Sequence, residues 1–230
     1  MLRAICLWAL LAAAGAAHAG GFAIVPLRVE LGANRASSLT VTNTDEAKTF
    51  EVRVVSWKQQ NRVDSYEPTN DLLVAPATFR LEKGAAQVVR VQLNRPLDAT
   101  EHPYRIFIDE VPPAREIQAN TLKTVVSMAV PVFVAPAAGR VAKGEAALSV
   151  ALVQDVLKVE LRNTGKANIK LKEWVLSSAQ AGDLLKVPSA AYLLVGNTLS
   201  GDYPLKIQAD GPLKVRVRTD HGTFMADVKR

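Results

Sequence analysis

Few residues in this sequence have the types and the spacing that catalysis or metal binding needs. Outside the first 19 residues the only histidines are His102 and His221, both in predicted turns. The single cysteine of the sequence, Cys6, lies within those 19 residues. Three or four ligands must converge to bind zinc, so this distribution argues against a zinc site. Asp109 and Glu110 are adjacent in a predicted strand and point to opposite faces, so they do not form a pair of catalytic carboxylates.

Motifs of the common enzyme classes are also missing. The sequence contains no G-x-S-x-G, no Walker loop and no G-x-G-x-x-G. No group of residues combines a nucleophile, a base and donors for an oxyanion. The formal net charge is +6, but no dense basic block appears, which argues against nucleic-acid binding. We therefore expect no enzymatic activity, no cofactor and no metal.

One arginine lies where a charge could bind a ligand. Arg28 has mainly apolar neighbours in residues 22–31, a predicted strand that Pro26 interrupts. Its guanidinium could reach solvent above a buried stem, or it could point into a cleft and bind a carboxylate. The residues alone leave both alternatives open.

The N-terminus is typical of a secretory signal peptide. Arg3 is followed by an apolar stretch at residues 5–14 and by Ala17-His18-Ala19, a small-residue cleavage pattern. The apolar stretch is too short to span a bilayer. We expect cleavage after Ala19 and a soluble mature protein outside the cytoplasm. That mature chain has no cysteine, so apolar cores without disulfides must stabilise it.

Short segments of alternating apolar and polar residues follow, without helical periodicity, and predict antiparallel β-sandwiches. The predicted strands include residues 22–31, 36–42, 49–57, 86–93, 104–111, 147–152, 157–162, 168–176, 192–195, 205–208, 213–218 and 223–228. Residues 36–42 and 49–57 are predicted to pair as a hairpin, and residues 59–70 are predicted to be irregular. The Pro/Gly/Ala-rich residues 136–144 predict an interdomain connection. This gives a signal peptide at 1–19, a first domain at 20–136, a linker at 137–144 and a second domain at 145–230.

Residues 121–136 form the most unusual segment. β-Branched residues dominate it, which predicts a long strand over residues 122–134. Both of its faces are largely apolar, and Pro131 favours an edge position or a bulge. Two interpretations remain open: an edge strand that pairs with another protein, or a central strand buried on both faces.

An ordered set of motifs resembles a known family. These are Glu110-Val111-Pro112-Pro113, the long apolar strand that ends at Pro136, Val41-Thr42-Asn43-Thr44, Val89-Arg90-Val91 and Asp220-His221-Gly222. Over essentially the whole mature chain they resemble the PapD-like periplasmic chaperones of the chaperone–usher pilus pathway. Residues 66–74 and 131–136 are most similar to the archaic, spore-coat-U-associated branch.

The resemblance implies an all-β protein with two immunoglobulin-like domains in a boomerang arrangement. It implies a periplasmic chaperone that folds pilus subunits by donor-strand complementation and delivers them to an outer-membrane usher. The side chains implied for the subunit groove share one face of the donor strand: Leu122, Thr124, Val126, Met128 and Val130. The opposite face, with Val125, Ala129 and Phe133, is expected to pack into the chaperone's own core. An open donor edge would also allow free copies to associate.

The resemblance also implies a cationic anchor for the subunit's C-terminal carboxylate. Arg28 matches the first family cation, but Pro131 stands where the family has a lysine, so Arg105 is our candidate for the second. Asp220 matches the acidic member of the family's interdomain salt bridge, and Ala135 stands where its arginine is expected.

An alternative function remains, a secreted two-domain immunoglobulin-like binding module such as an adhesin or carbohydrate binder. Such modules are expected to carry aromatic residues on exposed loops. The tryptophans and tyrosines of this sequence are scattered instead.

Overall fold

The computed structural model describes residues 21–60, 63–112, 124–139, 145–205 and 211–229. These residues form strands joined by turns, with no helix among them, and therefore none that could cross a membrane. The predicted signal peptide, Leu122 and most of the predicted linker lie outside the described residues.

Eighteen strands are present in the described part of the chain. They are β1 Phe22–Val25, β2 Val29–Leu31, β3 Ala36–Asn43, β4 Lys48–Gln60, β5 Val63–Pro68, β6 Leu72–Ala75, β7 Thr78–Leu81, β8 Ala86–Leu93, β9 His102–Val111, β10 Ser127–Val134, β11 Ala146–Val153, β12 Val156–Asn163, β13 Ile169–Ser178, β14 Gly182–Pro188, β15 Tyr192–Leu193, β16 Thr198–Pro204, β17 Leu213–Thr219 and β18 Gly222–Asp227.

Two sheets form the first half of the molecule. One has the strand order β1-β3-β8-β6, and the other has the order β2-β10-β9-β4-β5, with β7 also paired to β4. Apolar residues at alternate positions of these strands point between the sheets, as the two-residue period of a strand requires. They form one core that includes Val41, Phe50, Val89, Ile106 and Val132.

The first segment of the chain contributes to both sheets. β1 pairs with β3 in one sheet, whereas β2 pairs in parallel with the end of β10 in the other. Pro26 lies between β1 and β2, and a proline cannot donate to a β-ladder. The predicted interruption at Pro26 is therefore the point where the chain leaves one sheet for the other.

The second half of the molecule repeats this design. β11-β12-β16 form one sheet and β14-β13-β17-β18 form the other, with β15 also paired to β13. A separate apolar core lies between them and includes Leu161, Leu171, Trp174 and Val217. Two sandwiches with separate cores agree with the predicted all-β fold class.

One buried asparagine occupies an equivalent place in each half. Asn43 ends β3, is fully buried, donates to two backbone carbonyls at 2.8 and 3.0 Å, and accepts from the amide two residues later at 3.2 Å. Asn163 ends β12, is also fully buried, and makes the same bonds at 2.8, 3.0 and 3.0 Å. Both side chains satisfy backbone groups at a tight turn, where a buried unpaired group would be costly. The turns that follow β3 and β12, at Asn43-Thr44 and Asn163-Thr164, are therefore equivalent.

Some predictions of local structure are wrong. Residues 36–42 and 49–57 are strands, but they do not form a hairpin, because β3 and β4 belong to different sheets. Residues 59–70 contain β5 instead of an irregular segment. β14 and β16 were not predicted. Leu205 lies outside the strands, and the rest of predicted strand 205–208 is outside the described residues.

Candidate functional site

The edge of β10 is the first part of the site. β10 pairs antiparallel with β9 along its whole length, but it pairs with β2 only through residues 132–134. No described strand pairs with residues 127–131 on that second side. Within the described residues, the main-chain groups of residues 127–131 that point away from β9 therefore have no strand partner, which is the requirement for adding a strand from another chain.

The strand is shorter than the sequence predicts, because β10 begins at Ser127 and residues 124–126 are described without strand structure. The amide of Glu110 still donates to the carbonyl of Val126 at 3.0 Å, so the connection to β9 continues one residue further. Of the predicted groove residues, Thr124 is exposed and Leu122 is outside the described residues.

The other predicted groove residues form a graded apolar row over the end of the first core. Val130 is 1% exposed and belongs to that core, whereas Val126 and Met128 are partly buried and pack against its border. In the ladder, Met128 lies across from Ile108 and Val130 across from Ile106, whose side chains are fully buried. The row thus runs from the core of the first sandwich out to the open end of the strand.

The expectation that the opposite face packs into this core is wrong. Val125 is 46% exposed and Ala129 is also exposed, while Phe133 packs with Trp57 and Leu194 in a separate cluster. The reason is that Met128 and Val130, which lie across from Ile108 and Ile106, share the face of β10 that covers the first core. Residues at odd-numbered positions therefore point away from that core. Phe133 is buried because residues of the second sandwich cover that face at the junction of the two halves.

Arg28 lies at this junction, immediately before β2. Its guanidinium carbon is 4.7 Å from the ring centre of Phe133 and 5.6 Å from that of Tyr192. Nη1 is 3.3 Å from Asp220 Oδ2, and Nε is 2.9 Å from Glu30 Oε1 without the alignment of a hydrogen bond. Its side chain is 21% exposed, so its head is neither free in solvent nor fully buried.

Arg105 lies on the same face of the sheet, two strands from β2. It is directly across from Pro131 in the β9–β10 ladder, and its guanidinium carbon lies 3.9 Å from the ring centre of Trp57. Asp64 is its closest carboxylate at 3.9 Å, a long contact for an ion pair. Its Nε is buried without a hydrogen-bond partner among the described residues. The rings of Trp57 and Phe133, 5.9 Å apart, separate Arg105 from Arg28.

Asp220 is the residue of the second half that contacts Arg28. Its Oδ1 accepts a 2.8 Å hydrogen bond from the backbone amide of Lys170, and its Oδ2 faces Arg28. His221 Nε2 is 3.8 Å from Oδ1 and 3.1 Å from the carbonyl of Asn168. Asp220 therefore meets the first half of the molecule at Arg28.

A second group of contacts at the junction was not predicted. Glu101 Oε1 accepts from both the backbone amide and Nδ2 of Asn168, each at 2.8 Å, and the amide of Glu101 donates to the carbonyl of Lys166 at 3.0 Å. Burial raises the pKa of the Glu101 carboxyl, and its two bonds to Asn168 oppose that shift only in part. Nothing in the sequence singles out Glu101, because its partners lie more than sixty residues away.

Gln59 links the two halves next to Glu101. Its Nε2 donates to the carbonyl of Tyr192 at 3.0 Å, and its Oε1 accepts from the amide of Leu194 at 3.2 Å. An open groove of about 490 Å³ adjoins these contacts and is lined in part by Trp57, Gln59, Glu101 and Leu194. Within the described residues, no cluster of His, Cys, Asp and Glu could hold a metal ion.

The family of pilus and flagellar-assembly chaperones, PapD N-terminal domain, matches residues 21–140. The chain belongs to this family. The predicted family and the pilus-assembly function are therefore confirmed, and family membership favours a chaperone over the adhesin-like alternative. Chaperones of this pathway act in the periplasm, so this is a periplasmic protein. No curated protein sequence matches the chain significantly.

Solved structures agree with this fold along most of the chain. The complex of the chaperone CsuC with the tip-adhesion subunit CsuE, from archaic Csu pili of Acinetobacter baumannii, contains a chain that is 19% identical, with a TM-score of 0.64 over 91% of this chain and 98% of that one. The E. coli chaperone DraB is 22% identical, with a TM-score of 0.56 over 91% and 97%. The Salmonella enterica complex of pilin SafA and chaperone SafB matches at 21% identity and 0.54, over 90% and 96%. The two-domain immunoglobulin-like fold is confirmed by these similarities.

Proposed function

We propose that this chaperone captures a pilus subunit by lending it β10 as a missing strand, and that it passes the subunit to an outer-membrane usher. The half-open edge of β10 is the observation that carries this proposal. In the part of the chain that the structure describes, residues 127–131 pair with a strand on one side only, and the row of apolar side chains beside that edge is incompletely covered. The same mode of recognition is used wherever a strand completes the sheet of another protein.

The groove contacts follow from the burial of the row. Val126 and Met128 retain exposed apolar surface and are the side chains that a subunit would cover, together with Leu122 and Thr124, which precede them in the chain. Val130 is already covered by its own domain and would support the row from below. Complete burial of a valine or methionine side chain stabilises by about 1.5–3 kcal/mol, so two half-buried ones contribute roughly half of that each. Main-chain hydrogen bonds supply the rest of the attraction, and ordering of the guest opposes it.

The two candidates for the anchor of the subunit's terminal carboxylate are Arg28 and Arg105, which lie on either side of the rings of Phe133 and Trp57. Arg28 immediately precedes β2, so a guest strand that filled the open edge and ran toward β2 would bring its C-terminus to this guanidinium. Arg105 lies across from Pro131, the position of the family's lysine, and its side chain is 16% exposed, so part of its guanidinium can meet a carboxylate. Arginine suits such a partner because its fork of donors matches two carboxylate oxygens.

The remaining features of the proposal concern targeting and organisation. Residues 1–19 would direct export and be removed after Ala19, and residues 137–144 would connect the domains at 20–136 and 145–230. Asp220 would join the domains through Arg28. The protein would act without enzymatic activity or cofactor, because folding of the guest supplies the free energy.

Periplasmic co-expression with secreted proteins encoded beside its gene tests the proposal. A subunit is expected to co-purify with the tagged chaperone as a one-to-one complex and to be degraded or aggregated when the chaperone is absent. A subunit that accumulates in soluble form without the chaperone, and does not co-purify with it, would contradict the proposal. An unrelated secreted immunoglobulin-like domain serves as the control guest.

A further inference from the structure

The guanidinium proposed to receive a guest's carboxylate already has carboxylate partners in its own chain. Asp220 Oδ2 lies 3.3 Å from Arg28 Nη1, and Glu30 Oε1 lies 2.9 Å from Nε. Glu30 is two residues away in the same half of the molecule, whereas Asp220 comes from the other half. Any external carboxylate that binds Arg28 must therefore share it with Asp220 or displace Asp220.

The contact between Asp220 and Arg28 has the geometry of a weak ion pair, which a stronger acceptor can displace. It is a single contact at 3.3 Å, longer than the usual 2.7–2.9 Å of a charge-assisted hydrogen bond. The side chains of Asp220 and Arg28 are 23% and 21% exposed, so a ligand can approach both. A free carboxylate could instead bind the guanidinium through two parallel bonds, which is the stronger arrangement.

The aromatic residues beneath Arg28 allow this exchange without moving the arginine. Its guanidinium lies over Phe133 and Tyr192, whose ring centres are 5.3 Å apart. Stacking on aromatic faces holds the plane of the guanidinium while its edges remain available to acceptors. When its contact with Arg28 is broken, Asp220 keeps the 2.8 Å hydrogen bond from the amide of Lys170. The exchange therefore leaves the second domain intact.

We propose that Asp220 is a built-in competitor for Arg28, and that the C-terminal carboxylate of a guest displaces it and so releases an ion pair between the two domains. This inference rests on the proposed function of Arg28. It goes beyond anchoring, because it links capture of the subunit to the junction between the domains. If binding of the carboxylate breaks the Arg28–Asp220 contact, the free energy of that contact is subtracted from the free energy of binding. The bonds of Glu101 and Gln59 across the junction are untouched by the exchange and keep the domains together.

A pair of peptides tests the exchange on the full mature chain. One is a soluble hexapeptide of alternating valine and threonine with a free C-terminal carboxylate, and the other is the same peptide with a C-terminal amide. Titrations followed by the NMR signal of the Arg28 Nε–H group give both the dissociation constant and the site. Asp220→Asn removes the charge and retains an oxygen that can accept from Lys170. Asp183→Asn is the matched control, because Asp183 forms an exposed ion pair with Arg216 within the second half alone.

Asp220→Asn is expected to bind the free-carboxylate peptide about two- to five-fold more tightly than the unaltered chain, the size of one partly exposed ion pair. The amide peptide should show no such gain, and Asp183→Asn should behave like the unaltered chain. If the carboxylate is preferred over the amide but Asp220→Asn does not increase that preference, the competition is refuted while the anchor stands. If the unaltered chain and Asp220→Asn both bind the two peptides equally, or bind neither, the anchor itself is refuted and the competition with it.

Discussion

Arg105 lies directly across from Pro131 in the ladder between β9 and β10, with its guanidinium carbon 3.9 Å from the ring centre of Trp57. Side chains at directly paired positions of a sheet share a face. A positive charge on β9 can therefore serve the same space that a lysine at position 131 would reach from β10. The stacking on Trp57 fixes the guanidinium there, which a flexible lysine would not achieve.

Replacement of Arg105 tests this relationship. Arg105→Ala should weaken subunit capture by about ten- to a hundred-fold, because one hydrogen bond to a charged group contributes about 1.5–3 kcal/mol. Arg105→Lys should recover part of the loss, since it restores the charge without the planar stack. Arg53→Ala is the matched control: Arg53 lies over Phe107 at 5.2 Å on the same sheet and pairs with Asp109 away from the junction. Dissociation constants from surface-bound subunit would contradict the role of Arg105 if the two alanine variants had equal effects.

Charges placed on the graded row of β10 should abolish capture. Val126→Asp or Met128→Asp would put a carboxylate where a guest must bury apolar surface, and desolvation of that charge is costly. Both residues are only partly buried, so each variant should remain folded with a modest loss in melting temperature. Val125→Asp is the control, because Val125 is 46% exposed on the opposite face and should leave co-purification of the subunit intact. Capture that survives both Val126→Asp and Met128→Asp would exclude β10 as the donor.

Glu101 should make the stability of the junction depend on pH. Burial raises the pKa of its carboxyl above 4.5, so the native protein holds this proton more tightly than the unfolded chain does. The contribution of Glu101 to stability is therefore complete below the unfolded pKa and is lost as the pH rises through the folded one. Glu101→Gln keeps an oxygen for the two bonds from Asn168 and cannot ionise.

The Gln variant should accordingly unfold at higher urea concentration than the unaltered chain at pH 7, and the difference should shrink toward pH 4. Glu101→Ala removes both bonds to Asn168 and should destabilise the protein at either pH. A Gln variant that is less stable than the unaltered chain at pH 7 would show that the ionised carboxylate is favourable at the junction.

Tyr104 should limit the stability of the protein at high pH. Burial and a 2.7 Å hydrogen bond from its hydroxyl to Asp71 raise its pKa from 10.0 to about 12. Its contribution is present below pH 10 and is lost as the pH rises toward 12. Tyr104→Phe should cost about 1–3 kcal/mol at pH 7, since Asp71 loses a donor and keeps only the 3.2 Å contact with Arg95 among the bonds described for that oxygen. In denaturant titrations the gap between the two proteins should narrow above pH 10, and a constant gap up to pH 12 would contradict the assignment.

The two buried asparagines should be equivalent in energy as well as in place. Asn163→Ala leaves two backbone carbonyls and one amide without their partner, which costs about 1–3 kcal/mol for each unsatisfied group that stays buried. Asn163→Asp should be at least as damaging, because a carboxylate cannot donate to those carbonyls. Asn43→Ala should destabilise the first sandwich by a similar amount. The check is thermal unfolding followed separately for each sandwich. If only one of Asn43→Ala and Asn163→Ala lowered the melting temperature of its own sandwich, the equivalence would be refuted.

The sequence was sufficient where a strand alternates clearly between a buried and a solvated face. β3, β8 and β12 were located within one or two residues for this reason. Every residue of β14 and β16 is exposed or half-buried, so the sequences of these strands show little apolar periodicity. The pairing of strands was less predictable. A short turn like the one after β3 can join two paired strands of a hairpin, or it can lead the chain to the other sheet, as it does here.

The limits at the site have a similar cause. Arg28 was identified as a carboxylate-binding candidate, but its partner Asp220 is 192 residues away in the chain and no local pattern connects them. The internal face of β10 could not be deduced because both faces are apolar: one covers a core and the other, at Phe133, meets the second sandwich. Glu101 and Gln59 were missed since each looks like an ordinary polar residue until the two halves are brought together.

The short strand β2 has a practical consequence for anyone who handles the guest. β2 pairs with residues 132–134 of β10, so an added strand can pair on that side only with the residues of β10 that precede 132. An incoming strand that runs in the direction of β2 has to terminate before Arg28, and extra residues after its natural end would meet a backbone that is already in place. Purification tags should therefore be attached to the beginning of a subunit, because a tag at its end would mimic a failure of recognition.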